Sequence, residues 1–220
     1  IGTTDLGPNP DFPTHDIVQV GAMSRTSFNA ERWGGVLDLV YASGDDNLDD
    51  GTISNFKADR NLHVGQLLFR HALAGMTARA PVTAADPELV GYPAADLDRL
   101  PSRQAVTSTI SVFPRIWWTP DHQLHLYGGP LFAFSSALVT DPLNTRVGGG
   151  SPHNALNGEP GSYLGTEFNL GARYLADWRR TKLMVGVELA YFTPGSAFVD
   201  GDGSRPEPLT GARLLVGYDL

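Results

Sequence analysis

A set of ionisable side chains recurs at alternate positions within apolar runs of the sequence. Arginine predominates in the set, and a guanidinium group binds a carboxylate through two parallel hydrogen bonds. Acidic residues share the same runs, so the set has mixed charge. These charges predict either a surface that binds and conducts charged solutes or one whose groups pair only with each other. The members are Arg25, Asp38, Arg115, His125, Glu167, Arg173, Glu188 and Arg213.

The spacing of these charges follows a two-residue repeat. Val185, Val187 and Leu189, for example, alternate with Gly186 and Glu188. Strict alternation over several residues indicates a β-strand with one apolar face. The repeat recurs in seven segments, at 17–28, 33–43, 105–118, 123–135, 163–175, 183–192 and 210–220.

The segments are longer than globular strands, which average about 5–6 residues. A tilted strand needs about 9–11 residues to cross a bilayer. Connections between segments alternate between short ones and long ones, as in outer-membrane barrels, whose short turns are periplasmic. The short connections are 29–32, 119–122 and 177–181, and the long ones are 44–104, 140–162 and 193–209.

Aromatic residues stand beside the short connections, where the interfacial girdle of a membrane barrel is expected. The alternative is the aromatic core of a soluble β-sandwich. That alternative does not explain why every tryptophan lies within a few residues of a short connection. The aromatic residues concerned are Phe28, Trp33, Trp117, Trp118, Tyr174 and Trp178.

We therefore predict an all-β fold, an antiparallel transmembrane β-barrel of the bacterial outer membrane. It occupies 1–220 as a single region, with a long surface loop at 44–104, and its charged set lines the lumen. Single-chain bacterial barrels have an even number of strands, whereas seven are visible. We expect an upstream barrel half or another chain to complete it. The alternative is a strand hidden in the first sixteen residues or in the long loop.

Composition excludes several classes of function. The 220 residues contain no cysteine, so disulfides and cysteine-ligated metals are excluded. A net charge of −8 argues against nucleic acid as a partner. Charged residues make up 18% of the chain, below the quarter or so that is usual for soluble domains. Hydrolase and phosphate-binding motifs are absent, so we predict no enzymatic activity.

The long loop opens with oxygen-bearing side chains at close spacing. Asp45, Asn47, Asp49 and Asp50 precede Gly51, which partly resembles a calcium loop. The sixth-position glycine and twelfth-position glutamate of an EF-hand are missing. The pattern predicts a calcium site that bridges lipopolysaccharide, or else a solvated acidic loop. Further along, run 62–79 changes to helical spacing and predicts a short helix folded into or over the lumen.

Runs 41–56 (YASGDDNLDDGTISNF) and 59–69 (DRNLHVGQLLF) resemble the alginate-export type of outer-membrane barrel. The resemblance implies a large monomeric barrel that passes anionic polysaccharide through an arginine-lined lumen, with this chain as its C-terminal portion. Only the arginines of the charged set match that role. Asp38, Glu167 and Glu188 depart from it, which argues against alginate itself as the solute.

The expected function is an outer-membrane channel or exporter for polar solutes, anionic saccharides among them. Its expected partners are outer-membrane lipid and lipopolysaccharide. The alternative is a structural or binding barrel with a plugged lumen, within a larger surface assembly. A barrel enzyme is the third hypothesis, and it would need a hydrolytic constellation that the sequence does not offer.

Overall fold

The computed structural model describes residues 1–4, 14–45, 51–59, 61–76, 105–149, 151–178 and 181–219. Strands account for 53% of the structure and helices for 10%. In chain order the strands are β1 Gly2–Thr4, β2 His15–Ile17, β3 Gly21–Asn29, β4 Trp33–Ala42, β5 Thr52–Ile53, β6 Thr109–Trp118, β7 Leu124–Phe134, β8 Tyr163–Trp178, β9 Thr181–Pro194 and β10 Leu209–Asp219.

The seven long strands form one antiparallel sheet in the order β10-β9-β8-β7-β6-β4-β3. The predicted antiparallel all-β fold is confirmed at this level. Among the described residues the sheet is open, with β3 and β10 at its edges, and no closed barrel is seen. Strands β1, β2 and β5 form a second, small sheet, which the sequence did not predict.

Helical structure is short. A π-helical turn at Leu68–Leu73 continues into Ala74–Met76, a further helix spans Pro142–Val147, and Ser196–Phe198 is a 3₁₀ turn. The first of these lies within the run for which a helix was predicted. Along the part of the chain that the structure describes, no helix is long and apolar enough to cross a membrane.

The turn between β6 and β7 is held by a side chain rather than by a glycine. The Asp121 carboxylate accepts the backbone N–H groups of Leu124 (2.7 Å) and Gln123 (2.8 Å). Aspartate commonly bonds its own backbone a few residues on and so closes a turn. Both hydrogen bonds favour the ionised carboxylate, the one from Leu124 most strongly. They therefore hold the pKa of Asp121 below its ordinary value.

The large sheet has two chemically different faces. On one, which we call the apolar face, the strand registers place no charged residue on any of the seven described strands. Its side chains are nevertheless exposed, Leu170 by 65% and Ile116 by 72%. Other exposed members are Trp33, Leu37, Leu39, Tyr41, Ile110, Val112, Trp118, Phe132, Phe134, Phe168, Tyr174, Val185, Val187, Leu189, Tyr191, Leu214, Val216 and Tyr218.

The opposite face, which we call the charged face, is covered over part of its length. Residues 62–76, here the cover segment, pack on the half nearer the long connections. Leu68 and Leu73 are fully buried there, against a cluster that includes Phe113, Leu131 and Phe192. The core of the described structure therefore lies between this segment and the sheet.

One row of paired residues crosses the charged face nearer the short turns. From β4 to β10 it runs through Gly34, Trp117, Tyr127, Gly171, Glu188 and Arg213. The two rings lie over the two glycines. A Cβ at Gly34 would come within 2.6 Å of the Trp117 ring, and a Cβ at Gly171 within 2.3 Å of the Tyr127 ring. Only glycine leaves room for a ring at these positions.

We expect Gly171→Ala to lower the free energy of unfolding by about 1–3 kcal/mol, because the Tyr127 ring must leave its position. Urea unfolding of the refolded protein measures this. Gly35→Ala is the matched control, since a Cβ there meets its nearest atom at 3.4 Å, an ordinary contact. Equal losses in the two variants would show that the Tyr127 ring does not depend on Gly171.

Candidate functional site

The first ion cluster lies on the charged face across β3, β4 and β6. Arg25 and Asp38 are directly opposite in register, and the Arg25 Nε and Nη2 atoms lie 2.6 and 3.0 Å from the two Asp38 oxygens. Arg115 Nη2 also donates to Asp38. The Asp38 side chain is 2% exposed, whereas that of Arg25 is 55% exposed. Two arginines thus surround one buried carboxylate and leave a net positive charge.

The second cluster joins β7, β8, β9 and β10. Glu188 accepts from Arg173 Nη2 at 3.1 Å, from Arg213 Nε at 2.9 Å and from the Tyr127 hydroxyl. Arg173 Nε also lies 3.0 Å from the Tyr127 oxygen. Here again one carboxylate is shared by two arginines whose side chains are nearly half exposed. Among the described residues, the remaining N–H donors of these two guanidinium groups have no recorded acceptor and can meet an anion.

Glu167 has a different role from that predicted. It is fully buried beneath the cover segment. Its carboxylate accepts the backbone N–H groups of Gln66 (2.5 Å), Leu68 (2.8 Å) and Leu67 (3.1 Å). These are donors that the start of a helical turn leaves without an intrahelical partner. Glu167 therefore anchors the cover segment to β8 and does not face an open surface.

His125 lies between the second cluster and the short turn after β6. Its Nδ1 is 3.3 Å from the Thr119 hydroxyl. Its ring is close to those of Trp117 and Tyr127, with centroid separations of 5.9 and 5.3 Å. The sequence placed His125 on the charged side of its strand, and the structure has it there, half-buried.

Sequence reasoning missed the aromatic part of this site. Trp117 was grouped with the girdle aromatics, yet its partner in the row is Tyr127, on the charged face. Trp118 next to it is on the apolar face. The two-residue repeat held the signal, because Trp117 has the same parity as Arg115. Proximity to a turn was the wrong criterion for choosing between adjacent tryptophans.

The calcium prediction is not resolved by the structure. Asp45 accepts the backbone N–H of Ser54 at 3.1 Å, while Asn47, Asp49 and Asp50 lie outside the described residues. Within the ranges that are described, no group of three or more acidic or histidine side chains is placed to hold a metal ion. The calcium site stays a prediction.

A groove of about 700 Å³ lies on the apolar face between β6, β7, β8 and β9. Pro114 and Pro130 line it, and the ladder between β6 and β7 is interrupted at these residues, which lack a backbone donor. Its walls are apolar, among them Ile116, Leu126 and Leu189. Tyr127 also contributes to the lining, so the groove adjoins the second ion cluster, but its surface is almost wholly apolar and offers little to a polar ligand.

Replacing Glu188 removes the acceptor that two arginines and a tyrosine share. We expect Glu188→Gln to lower the free energy of unfolding by about 1–3 kcal/mol, with part of the loss offset by solvation of the half-exposed arginines. Chemical denaturation followed by circular dichroism measures this. Glu207→Gln, in the exposed loop before β10, should change it by no more than about 0.5 kcal/mol. Indistinguishable curves for the two variants would contradict a structural role for Glu188.

Comparison with known proteins returned no matching family model, no matching curated protein and no matching solved structure.

Proposed function

We propose that the chain contributes the wall of an outer-membrane β-barrel, with its apolar face against lipid and its charged face lining a water-filled lumen. The proposed activity is passage of polar solutes, anionic saccharides among them. The observation that carries the proposal is the exposed apolar face, which is free of charge over all seven described strands. The same strands hold every residue of both ion clusters on the other face.

Energetics favour lipid over water against the apolar face. Soluble monomers rarely expose contiguous apolar patches larger than a few hundred Å². A charge on the lipid face of a barrel strand costs about 2–4 kcal/mol near the bilayer midplane. A soluble sheet with one solvated face has no such constraint and normally carries polar side chains there. The complete division of charge between the faces is thus what a lipid-facing wall requires.

The open edges extend the proposal to further strands. In lipid, the backbone donors and acceptors of β3 and β10 must be paired, since no water is present to satisfy them. Seven antiparallel strands leave the two edge strands running in the same direction. Closure with antiparallel pairs therefore needs an odd number of additional strands. They would come from an upstream barrel half or from another chain.

The arginine excess supports a preference for anions. Each cluster has two guanidinium groups for one carboxylate. This arrangement agrees with the alginate-export type of barrel suggested by runs 41–56 and 59–69. Asp38 and Glu188 still place negative charge along the same wall, so the proposal is a general path for anionic saccharides rather than one for alginate alone.

Conductance of the full-length protein in planar bilayers tests the channel. We expect a conducting, anion-preferring pore. The double variant Arg25→Gln/Arg213→Gln leaves one arginine on each carboxylate and should reduce the anion-to-cation permeability ratio roughly twofold or more. The reversal potential under a KCl gradient measures it. Arg205→Gln, in an exposed loop, should leave the ratio unchanged. A folded, inserted protein without conductance would refute the channel.

The cover segment favours a second candidate, a binding or structural barrel whose lumen is plugged. It buries Leu68, Phe69 and Leu73 on the charged face and is anchored by Glu167. A lumen filled in this way would be narrowed or closed. The same recordings separate the candidates, because a plug blocks current until it is released.

We expect Glu167→Ala to release the cover segment and raise single-channel conductance severalfold, since three backbone donors lose their acceptor and local opening becomes easier. Gly75→Ala is the control within the same segment, because a Cβ there meets no atom within 4 Å. Unchanged conductance in a correctly folded Glu167→Ala protein would show that the segment does not obstruct the pore.

A further inference from the structure

Three aromatic side chains form a continuous surface on the charged face. Trp117 and His125 have ring planes 30° apart with centroids 5.9 Å apart, and His125 and Tyr127 have planes 36° apart with centroids 5.3 Å apart. Aromatic pairs in a packed core often meet edge to face instead. Neighbouring rings whose planes are this close to parallel form one continuous aromatic surface, here called the aromatic platform.

Glycines on neighbouring strands leave room for two of the three rings against the sheet. The Trp117 ring lies over Gly34 and the Tyr127 ring over Gly171. Part of each of these two rings therefore lies directly against the sheet. All three side chains of the platform remain half-buried rather than buried, so part of each ring is accessible.

The cover segment packs on a different part of the charged face. Its contacts belong to the buried cluster of Val40, Phe113, Leu131 and Phe192. None of the platform residues belongs to that cluster. The described part of the cover segment therefore does not bury the platform, whose three side chains stay half-buried.

Polar groups surround the platform. The Arg173 guanidinium carbon lies over the Tyr127 ring, 5.0 Å from its centroid. Arg213 is next along the row beyond Glu188, and Thr119 stands beside His125. A ligand seated on Trp117 and His125 would therefore meet hydrogen-bond donors beside it.

We propose that the aromatic platform is a stacking subsite for a pyranose ring, neutral or anionic. A pyranose presents polarised C–H bonds on its face and hydroxyl groups around its edge. The negative face of an aromatic ring attracts the former, and guanidinium and hydroxyl groups bind the latter. The inference rests on the proposed function for access to this face, and it adds that recognition uses the ring face of the sugar rather than its charge.

Calorimetric titration of the full-length protein in detergent micelles with maltotriose, a neutral probe, tests the subsite. We expect Trp117→Ala to weaken binding roughly twofold to tenfold. Trp117→Phe, which keeps a ring over Gly34, should retain most of the affinity. Trp118→Ala is the matched control, because it removes the adjacent indole from the apolar face, and it should bind as the unaltered protein does.

Several results would overturn the subsite. One is equal affinity in Trp117→Ala and Trp118→Ala, and another is no binding to the unaltered protein. A third is binding of benzoate, but not of maltotriose, that depends on Trp117, which would assign the platform to aromatic solutes. If Trp117→Ala fails to fold, His125→Leu gives the same comparison with smaller perturbation.

The titration and the bilayer recordings test the subsite and the channel separately, so either proposal can be refuted without the other. A conducting protein that binds no maltotriose refutes the subsite and leaves the channel in place. A silent protein that binds maltotriose through Trp117 refutes the channel and leaves the subsite, then as part of a binding barrel.

Discussion

Register and charge pairing constrain each other in this sheet. A one-residue slip in a long strand would exchange its two faces and, in every long strand except β7, would carry an arginine or a carboxylate onto the apolar face. The ion pairs oppose that slip, because Arg25 is directly opposite Asp38 and Arg213 directly opposite Glu188. Each buried carboxylate would lose its arginines if the strands moved by one residue. The ion pairs on the charged face thus hold the strand register, and that register keeps charged side chains off the apolar face.

Two glycines on the charged face, between the two ion clusters, also help to fix the positions of side chains on neighbouring strands. Glycine at positions 34 and 171 admits the Trp117 and Tyr127 rings against the sheet, and Tyr127 then reaches Glu188. A glycine, a ring and an ion cluster therefore form one unit that spans four strands. Glycine normally weakens a strand interior because it packs nothing itself. Here the ring of a neighbouring strand supplies the missing contact.

The long strands were predictable because alternation is local information. Leu183 to Tyr191 specify a strand and its two faces without reference to any other segment. The placement of Glu167 was not predictable in this way, since its partners Gln66, Leu67 and Leu68 are about a hundred residues away in sequence. The small sheet was not predicted for the same reason, because β2 pairs with β5 and two other strands lie between them in the sequence. Trp117 is a different case. Its position in the two-residue repeat places it on the same face as Arg115, but it was assigned to the aromatic girdle because it is close to a turn.

The two ion clusters are positive although the chain as a whole is negative. The net charge is −8, and acidic residues are concentrated in connections such as 45–50, whereas each ion cluster on the charged face has a positive excess. At physiological ionic strength an exposed charge is screened within about 8 Å. Long-range attraction of an anion by the whole chain is therefore excluded, since the distant field is negative. An anionic solute would gain from the arginines only when it is already beside them, and contacts that do not depend on charge must contribute to holding it there. The aromatic rings that adjoin Arg173 meet that requirement on physical grounds.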